Sequence, residues 1–255
     1  MKSLYTLLIN CVIVLALTVN HDSMAIDNFA IEFKGDGKTR VIAPDSDSLD
    51  ITGNLTMEAW VFPTATSGSA IIVNKENSWE CALQSNILKA AIKAAEWAWH
   101  GGGEVPLNKW TFVAVTFDKK EHHTFVNGKY EASRANQGKI QPTDEAFHVG
   151  WRPCCNNEPF TGIIDEVRIS NVSRYQKNKN FAVPNREFTP DGNTIVLYHF
   201  NEGKGQKTKD ASKFKNDGEV DGGAKFVKSK APIKFAAVEP EDKLTTMWAQ
   251  IKAYP

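Results

Sequence analysis

Phe160-Thr161-Gly162-Ile163-Ile164-Asp165-Glu166-Val167-Arg168-Ile169 reads as a β-strand with a charge problem. Side chains alternate across a strand, so Ile163, Asp165, Val167 and Ile169 share one face and Ile164, Glu166 and Arg168 the other. With the aliphatic face turned to a core, Asp165 sits among apolar neighbours. A carboxylate there costs several kcal/mol, on the order of 2–7, unless a hydrogen-bond network, an arginine or a cation meets it.

The flanking sequence supplies further strands. Leu55 to Phe62 alternates Leu55, Met57, Ala59 and Val61 against Glu58, Trp60 and Phe62, and is apolar enough on both sides to lie between two layers. Ser69 to Lys75 and Trp79 to Gln84 form a hairpin about Glu76-Asn77-Ser78. Ile87 to Trp99 reads as a strand stopped by Gly101-Gly102-Gly103, with helix as the competitor on propensity. Lys109 to Asp118 is dense in β-branched and aromatic residues, and Asn127-Gly128 between apolar runs is a hairpin signal. His122-His123, beside that turn, reads as a solvated pair. Ala146 to Gly150 and Thr194 to Phe200 are two more strands, and Ser170 to Phe181 has room for one short helix. Strands at this spacing, joined by glycine turns, define an all-β fold: two antiparallel sheets packed as a sandwich.

The ends carry other signals. Residues 1–25 combine Lys2, an apolar run and Ser23-Met24-Ala25, and read as a cleaved secretory signal, which leaves no membrane span after cleavage. Residues 26–227 are the folded domain and residues 228–243 a Pro- and charge-bearing linker. Residues 244–255 form a short amphipathic tail helix, with Leu244, Met247, Trp248 and Ile251 at helical spacing. Such a stripe can dock on another protein. The chain has 30 basic and 30 acidic residues, so nothing electrostatic favours nucleic acid as a partner. Secretion places Cys81, Cys154 and Cys155 in an oxidising compartment, extracellular or periplasmic. One disulfide can form. A long-range bridge from Cys81 to either of the pair is favoured over the vicinal Cys154–Cys155 alternative.

Five segments then share an order with a known family: Met57 to Val61, Trp110 to Asp118, Phe125 to Lys129, Phe160 to Ile169, and Leu197 to Gly203. Together they resemble the LamG-like jelly-roll domains of the concanavalin A-like lectin/glucanase superfamily, akin to laminin G and pentraxin modules, over about residues 28–227. In many such domains the segment resembling Tyr198 to Gly223 precedes the one resembling Phe33 to Leu49, whereas here it comes last. That order requires the two ends of the domain to be neighbours, so Ile31 and Phe226 are expected side by side. The resemblance implies a jelly-roll sandwich and a structural calcium, with Asp36, Asp165, Asp210 and Asn216 as the matching oxygen ligands. Backbone amides or an arginine are the alternative partners for Asp165.

Function follows from what is present and what is missing. No Ser/His/Asp signature, zinc-ligand spacing or phosphate loop occurs, and the acid pair Asp165-Glu166 is adjacent, so its members face opposite sides. The reading is a secreted, non-catalytic recognition module for carbohydrate or an extracellular protein. A structural attachment module without a specific ligand is the alternative, and a glycoside-active enzyme comes last. Aromatics outside the obvious core pattern motivate it: Trp79, Trp97, Trp99, His100 and Trp151. Trp97, Trp99, His100, Trp151, Arg152 and Asn156 make up the expected ligand site.

Overall fold

The computed structural model describes residues 28–65, 68–97 and 99–234. The leader, the end of the linker and the amphipathic tail lie outside the described residues.

Two antiparallel sheets face each other. The first contains β1 (Phe29–Lys34), β3 (Leu55–Pro63), β8 (Thr111–Phe117), β9 (Glu121–Val126), β10 (Lys129–Ala135), β12 (Thr161–Ser170), β13 (Thr194–Tyr198) and β16 (Lys225–Lys228). Its order is β10-β9-β8-β3-β12-β1-β16, with β13 also paired to β12. The second contains β2 (Arg40–Ala43), β4 (Ser69–Lys75), β5 (Trp79–Gln84), β6 (Ile87–Ile92), β7 (His100–Glu104), β11 (Phe147–Val149), β14 (Lys207–Thr208) and β15 (Gly218–Asp221). Its order is β14-β15-β2-β11-β4-β5-β6-β7. β1 pairs with β16, and Ile31 stands directly opposite Phe226, as the altered segment order requires.

Period-2 patterning fills the space between the sheets. Met57, Ala59 and Val61 of β3 and Val113, Val115 and Phe117 of β8 meet Trp79, Cys81 and Leu83 of β5 and Phe147 and Val149 of β11. Each large side chain so buried stabilises the fold by about 1.5–3 kcal/mol. The alternate residues of the first sheet do not face water. Trp60, Phe112, Ala114 and Phe125 lie beneath a second apolar layer built from Phe188, Ala231 and Ile233, with Tyr175 and Phe181 packed against it. Residues 170–181 therefore form no helix. They cross this face as bends with a turn at residues 176–179, with Tyr175 and Phe181 stacked at 3.7 Å and the Phe181 amide donating to the Gly128 carbonyl.

Strict alternation fails in β12. Ile164, Val167 and Ile169 all enter the main core, because a bulge between Asp165 and Arg168 shifts the phase, with Glu166 at φ 50°. Asp165 consequently faces outward from the main core, not into it. At the same point the edge of β12 changes partner, from β1 (through Ile164) to β13 (from Val167). Asp165 accepts hydrogen bonds from Ser229 Oγ (2.5 Å), the Glu166 amide (2.8 Å) and Asn28 Nδ2 (3.4 Å). Its partners are thus protein groups from the two ends of the domain. Burial pushes its pKa up to about 8.

The glycine triplet also departs from expectation. The preceding strand stops at Ile92, a loop follows, and Gly101-Gly102-Gly103 lie inside β7. There the second sheet crosses the edge of the first. A Cβ at Gly101 would come within 2.3 Å of the Leu88 carbonyl and 3.0 Å of Thr124 Cγ2, and one at Gly102 within 3.0 Å of Ala132 Cβ. Residues without Cβ are needed for that approach. His122 and His123 are buried beside this seam rather than solvated, and burial holds the His122 pKa at about 4.

Candidate functional site

The outer face of the second sheet carries a transverse row read directly from strand register. Glu219 on β15 pairs with Ile42 on β2, Ile42 with His148 on β11, His148 with Asn74 on β4, Asn74 with Glu80 on β5, and Glu80 with Ala91 on β6. Their strand neighbours Val41, Phe147, Val73, Trp79 and Cys81 point into the main core, so the row points away from it. Trp79, counted among the free aromatics, is fully buried core.

The loop of residues 151–159 lies over this row. Arg152 reaches Glu80 (2.8 Å) with one guanidinium nitrogen and Glu158 (2.7 Å) with the other. Asn74 Nδ2 donates to Glu80 (2.6 Å) and to Glu76 (3.2 Å). Asn74 and Glu80 are sealed from solvent and Arg152 nearly so. Burial lifts the Glu80 pKa to about 7 despite the facing guanidinium. Asn74 Oδ1 and Arg152 Nε, both closed off from solvent, have no hydrogen-bond partner, and Glu158 Oε2 has only its ion pair with Arg152. Each such buried group costs about 1–3 kcal/mol.

Aromatic rings border the network on both sides. The Arg152 guanidinium lies 5.8 Å from the Trp99 ring, and Trp97 meets Trp99 edge-on at 6.5 Å. Both tryptophans are half-buried. Asn136 pins their loop, its Oδ1 accepting from the amides of Ala95 (2.9 Å) and Glu96 (3.2 Å). Toward β2, Trp151 packs on His148 at 4.9 Å, lies under the Arg40 guanidinium at 4.8 Å, and donates its indole N–H to Gly37. Burial and Arg40 hold the His148 pKa near 4, so its ring is neutral.

Cys154 and Cys155 are bridged to each other, and Cys81 is free and buried. This overturns the long-range bridge, for a simple reason: Cys81 points inward from β5, while the cysteine loop lies over the opposite face of that strand. Burial pushes the Cys81 thiol up to about 12. The chain from Cys155 to Glu158 has positive φ at every residue, a turn closed by the Asn157 amide donating to Cys154 O (2.7 Å).

Of the expected ligand residues, Trp97, Trp99 and Arg152 come together and Trp151 extends the row. Asn156 stands exposed at the loop tip. His100 belongs elsewhere: its ring meets His122 at the seam between the sheets, 5.8 Å away. Sequence reasoning missed Asn74, Glu76, Glu80, His148 and Glu158. The signal for Glu80 was its place between two core residues, Trp79 and Cys81.

The four residues matched to calcium ligation fall in three settings, with Asp210 and Asn216 sharing one. Asp36 Oδ1 closes the turn before β2 by accepting from the Lys38 and Thr39 amides (both 3.0 Å). Asp210 accepts four bonds, from the Leu197, Ser212 and Asn216 amides and from Ser212 Oγ. Asn216 ties Ser46 and Ser48 to the Ile195 carbonyl. With Asp165 held as described, these carboxylate oxygens already face protein donors, an arrangement that does not fit a calcium ion. A separate group, Glu166, Glu187 and His199, brings its ligating atoms within 4.8 Å of one another. Glu166 there accepts from the Phe188 amide (2.8 Å) and pairs with His199 Nδ1 (2.5 Å), which fastens the outer layer to β12.

The family model of the concanavalin A-like lectin/glucanases superfamily, laminin G type, matches residues 35–178, more than half of the 255 residues. The chain belongs to this superfamily. The match ends before β13, where the segment order departs from many relatives. No curated protein matches the chain in sequence. Among solved structures, a candidate carbohydrate binding protein from Bacteroides ovatus ATCC 8483 aligns with TM-score 0.62 and 19% identity, over 81% of this chain. The chain spans 61% of that structure's length. The heptameric SAP-like pentraxin of Limulus polyphemus aligns with TM-score 0.46 and 14% identity, over 59% of this chain and 79% of that one. Domains LG4-5 of the mouse laminin alpha1 chain align with TM-score 0.42 and 12% identity, over 59% of this chain and 45% of that one.

Proposed function

We propose that the chain is a non-catalytic carbohydrate-binding module and that sugars bind on the outer face of the second sheet, along Trp97, Trp99, Arg152 and Trp151. One observation carries this reading: the half-buried rings of Trp97, Trp99 and Trp151 flank the Arg152 loop on one outer face of the sandwich. Aromatic faces stack on the C–H faces of sugar rings, so this row of rings suits a carbohydrate.

The acid pair Asp165-Glu166 supports a binding role over hydrolysis. Both carboxylates are buried and engaged with protein groups beneath the outer layer. Retaining and inverting glycosidases need two carboxyls flanking an accessible bond. The vicinal disulfide suits an oxidising compartment, which supports secretion to the periplasm or the cell exterior.

Affinity electrophoresis against soluble polysaccharides, comparing the wild-type chain with a Trp97→Ala/Trp99→Ala double variant, tests the reading. Retardation of the wild type that the variant loses at least tenfold, with unchanged melting, is expected. Equal retardation of both proteins overturns this placement of the site.

A further inference from the structure

The charge of the site narrows its ligand, and the argument rests on the placement just proposed. Arginine in a sugar site is an obvious receptor for an acidic sugar, because its planar fork matches a carboxylate. Here the fork is already taken. One guanidinium nitrogen pairs with Glu80 and the other with Glu158, and the side chain is only 6% exposed. Glu76 adds a third carboxylate, joined to Glu80 through Asn74 Nδ2. One guanidinium therefore stands among three carboxylates. The neighbouring His148 is neutral, and Arg40 is engaged by Asp221 (2.5 Å).

The Cys154–Cys155 ring fixes that arrangement. It lies between Arg152 and Glu158, and Cys154 Sγ is 3.4 Å from Glu76 Oε1. A bridged sulfur has no proton to donate, so this contact is packing rather than a hydrogen bond. The ring holds the loop in the conformation that delivers Arg152 to Glu80. What remains for a ligand is the exposed part of the indole rings, beside carboxylates that disfavour a further anion.

We propose that this face accepts uncharged sugars and rejects acidic ones, with Arg152 serving as the internal counter-ion of Glu80 and Glu158 rather than as an anion receptor. A carboxylate brought to Arg152 must displace Glu80 or Glu158 from the two guanidinium nitrogens they occupy and meet the repulsion of the acidic groups that remain. A neutral hydroxyl meets no such charge repulsion.

The test uses the full chain and one backbone chemistry at a time. A glucan, a mannan and a galactan are each presented in native form and after oxidation of their primary hydroxyls to carboxylates, and retardation is measured in affinity gels at low and physiological salt. Native polysaccharide should bind and its oxidised counterpart should bind at least tenfold more weakly, with the gap shrinking as salt screens it. Glu158→Gln, at a side chain 24% exposed, should narrow the gap while preserving the fold; Glu80→Gln is the stronger variant if it melts normally. Preferential binding of the oxidised chains overturns this inference and leaves the carbohydrate reading standing. Binding of neither form overturns both. Reduction with a dithiol, which turns the bridge into two thiols as the reagent becomes a cyclic disulfide, should release the loop and weaken native binding. Alkylation of the unheated protein should then label Cys154 and Cys155 and spare buried Cys81. Unchanged affinity after that double labelling removes the ring from the proposal.

Discussion

The two outer faces of the sandwich are built from the same ingredients and finished differently. Beneath the outer layer of the first sheet, Glu58 accepts from Arg168 Nε (2.6 Å) and from the Tyr175 hydroxyl (2.6 Å), and the Arg168 guanidinium stacks 3.9 Å from Phe188. On the second sheet, Glu80 meets Arg152 and Asn74 at similar distances. The first network is roofed by the long segment from Tyr175 to Phe188 together with Ala231 and Ile233, and the second by one disulfide-bearing loop. Unpartnered buried atoms occur on both, Trp60 Nε1 beneath the first roof and Asn74 Oδ1 and Arg152 Nε on the second. A buried acid beside an arginine thus marks no function by itself. The two faces differ in their cover: a packed apolar layer on the first, and on the second a loop flanked by half-buried tryptophan rings.

Glu58→Ala should break that comparison most forcefully. It leaves Arg168 charged beneath an apolar roof, and removing one partner of a buried pair costs about 3–5 kcal/mol. Urea denaturation should show a large loss for this variant. Glu80→Ala should cost clearly less, because Arg152 keeps Glu158 at its other nitrogen. Equal losses would mean that the loop roofs its network as firmly as the long segment does.

A pH series sharpens the same contrast. Asp165, raised by burial to about 8, binds a proton in the folded chain that the unfolded chain has released, so its contribution is full below pH 4 and is lost as pH rises toward 8. Asp165→Asn removes that loss. The variant should gain on the wild type by about 1–3 kcal/mol between pH 5 and pH 8, well below the naive pK difference because the unfolded chain and local relaxation share the change. His122 and His148, held near 4, act in the opposite direction: their neutral forms stabilise the fold above pH 6.5, and that stability drains as pH falls toward 4. A wild-type profile that falls on both sides, with only the alkaline fall removed by Asp165→Asn, is the expected pattern. An alkaline fall that survives the substitution assigns it to another group, with Glu80 next in line.

How far the sequence carried the structure varies with the physical signal. The β4–β5 hairpin was read to the residue, because Ser69 to Lys75 and Trp79 to Gln84 alternate cleanly about a three-residue turn. The neighbouring of Ile31 and Phe226 followed from the segment order set against that of the family the chain resembles. The facing of Asp165 was not legible, because a bulge changes phase without changing composition, and Glu166 at positive φ looks like any other glutamate in print. The glycine triplet was ambiguous for a similar reason: whether glycine ends a strand or allows two backbones to touch depends on what lies across from it. Trp97, Trp99 and Arg152 were singled out by residue type and do lie together, while Glu80 and Asn74 were missed because only strand register aligns them. The bridge was misassigned because spacing says nothing of the side of a strand on which a cysteine lies.

The smallest expected effect concerns calcium. The superfamily resemblance implies such an ion, and the oxygens matched to it are Asp36, Asp165, Asp210 and Asn216. Calcium takes six to eight oxygen ligands at about 2.3–2.6 Å, so a site must present several lone pairs free of N–H donors. Asp210 faces three amides and a hydroxyl, and Asp36 Oδ1 faces two amides. Asp165 is held by Ser229, Asn28 and its neighbour's amide, and its raised pKa favours the neutral acid, a poor ligand for a cation. Melting of the domain should therefore be the same within error in calcium and in chelator, and Asp165→Asn, whatever its own melting point, should be equally indifferent to calcium. A calcium-dependent rise that Asp165→Asn abolishes would show that metal displaces Ser229 and Asn28, and that the acid at the bulge is a ligand rather than a clasp between the ends of the domain.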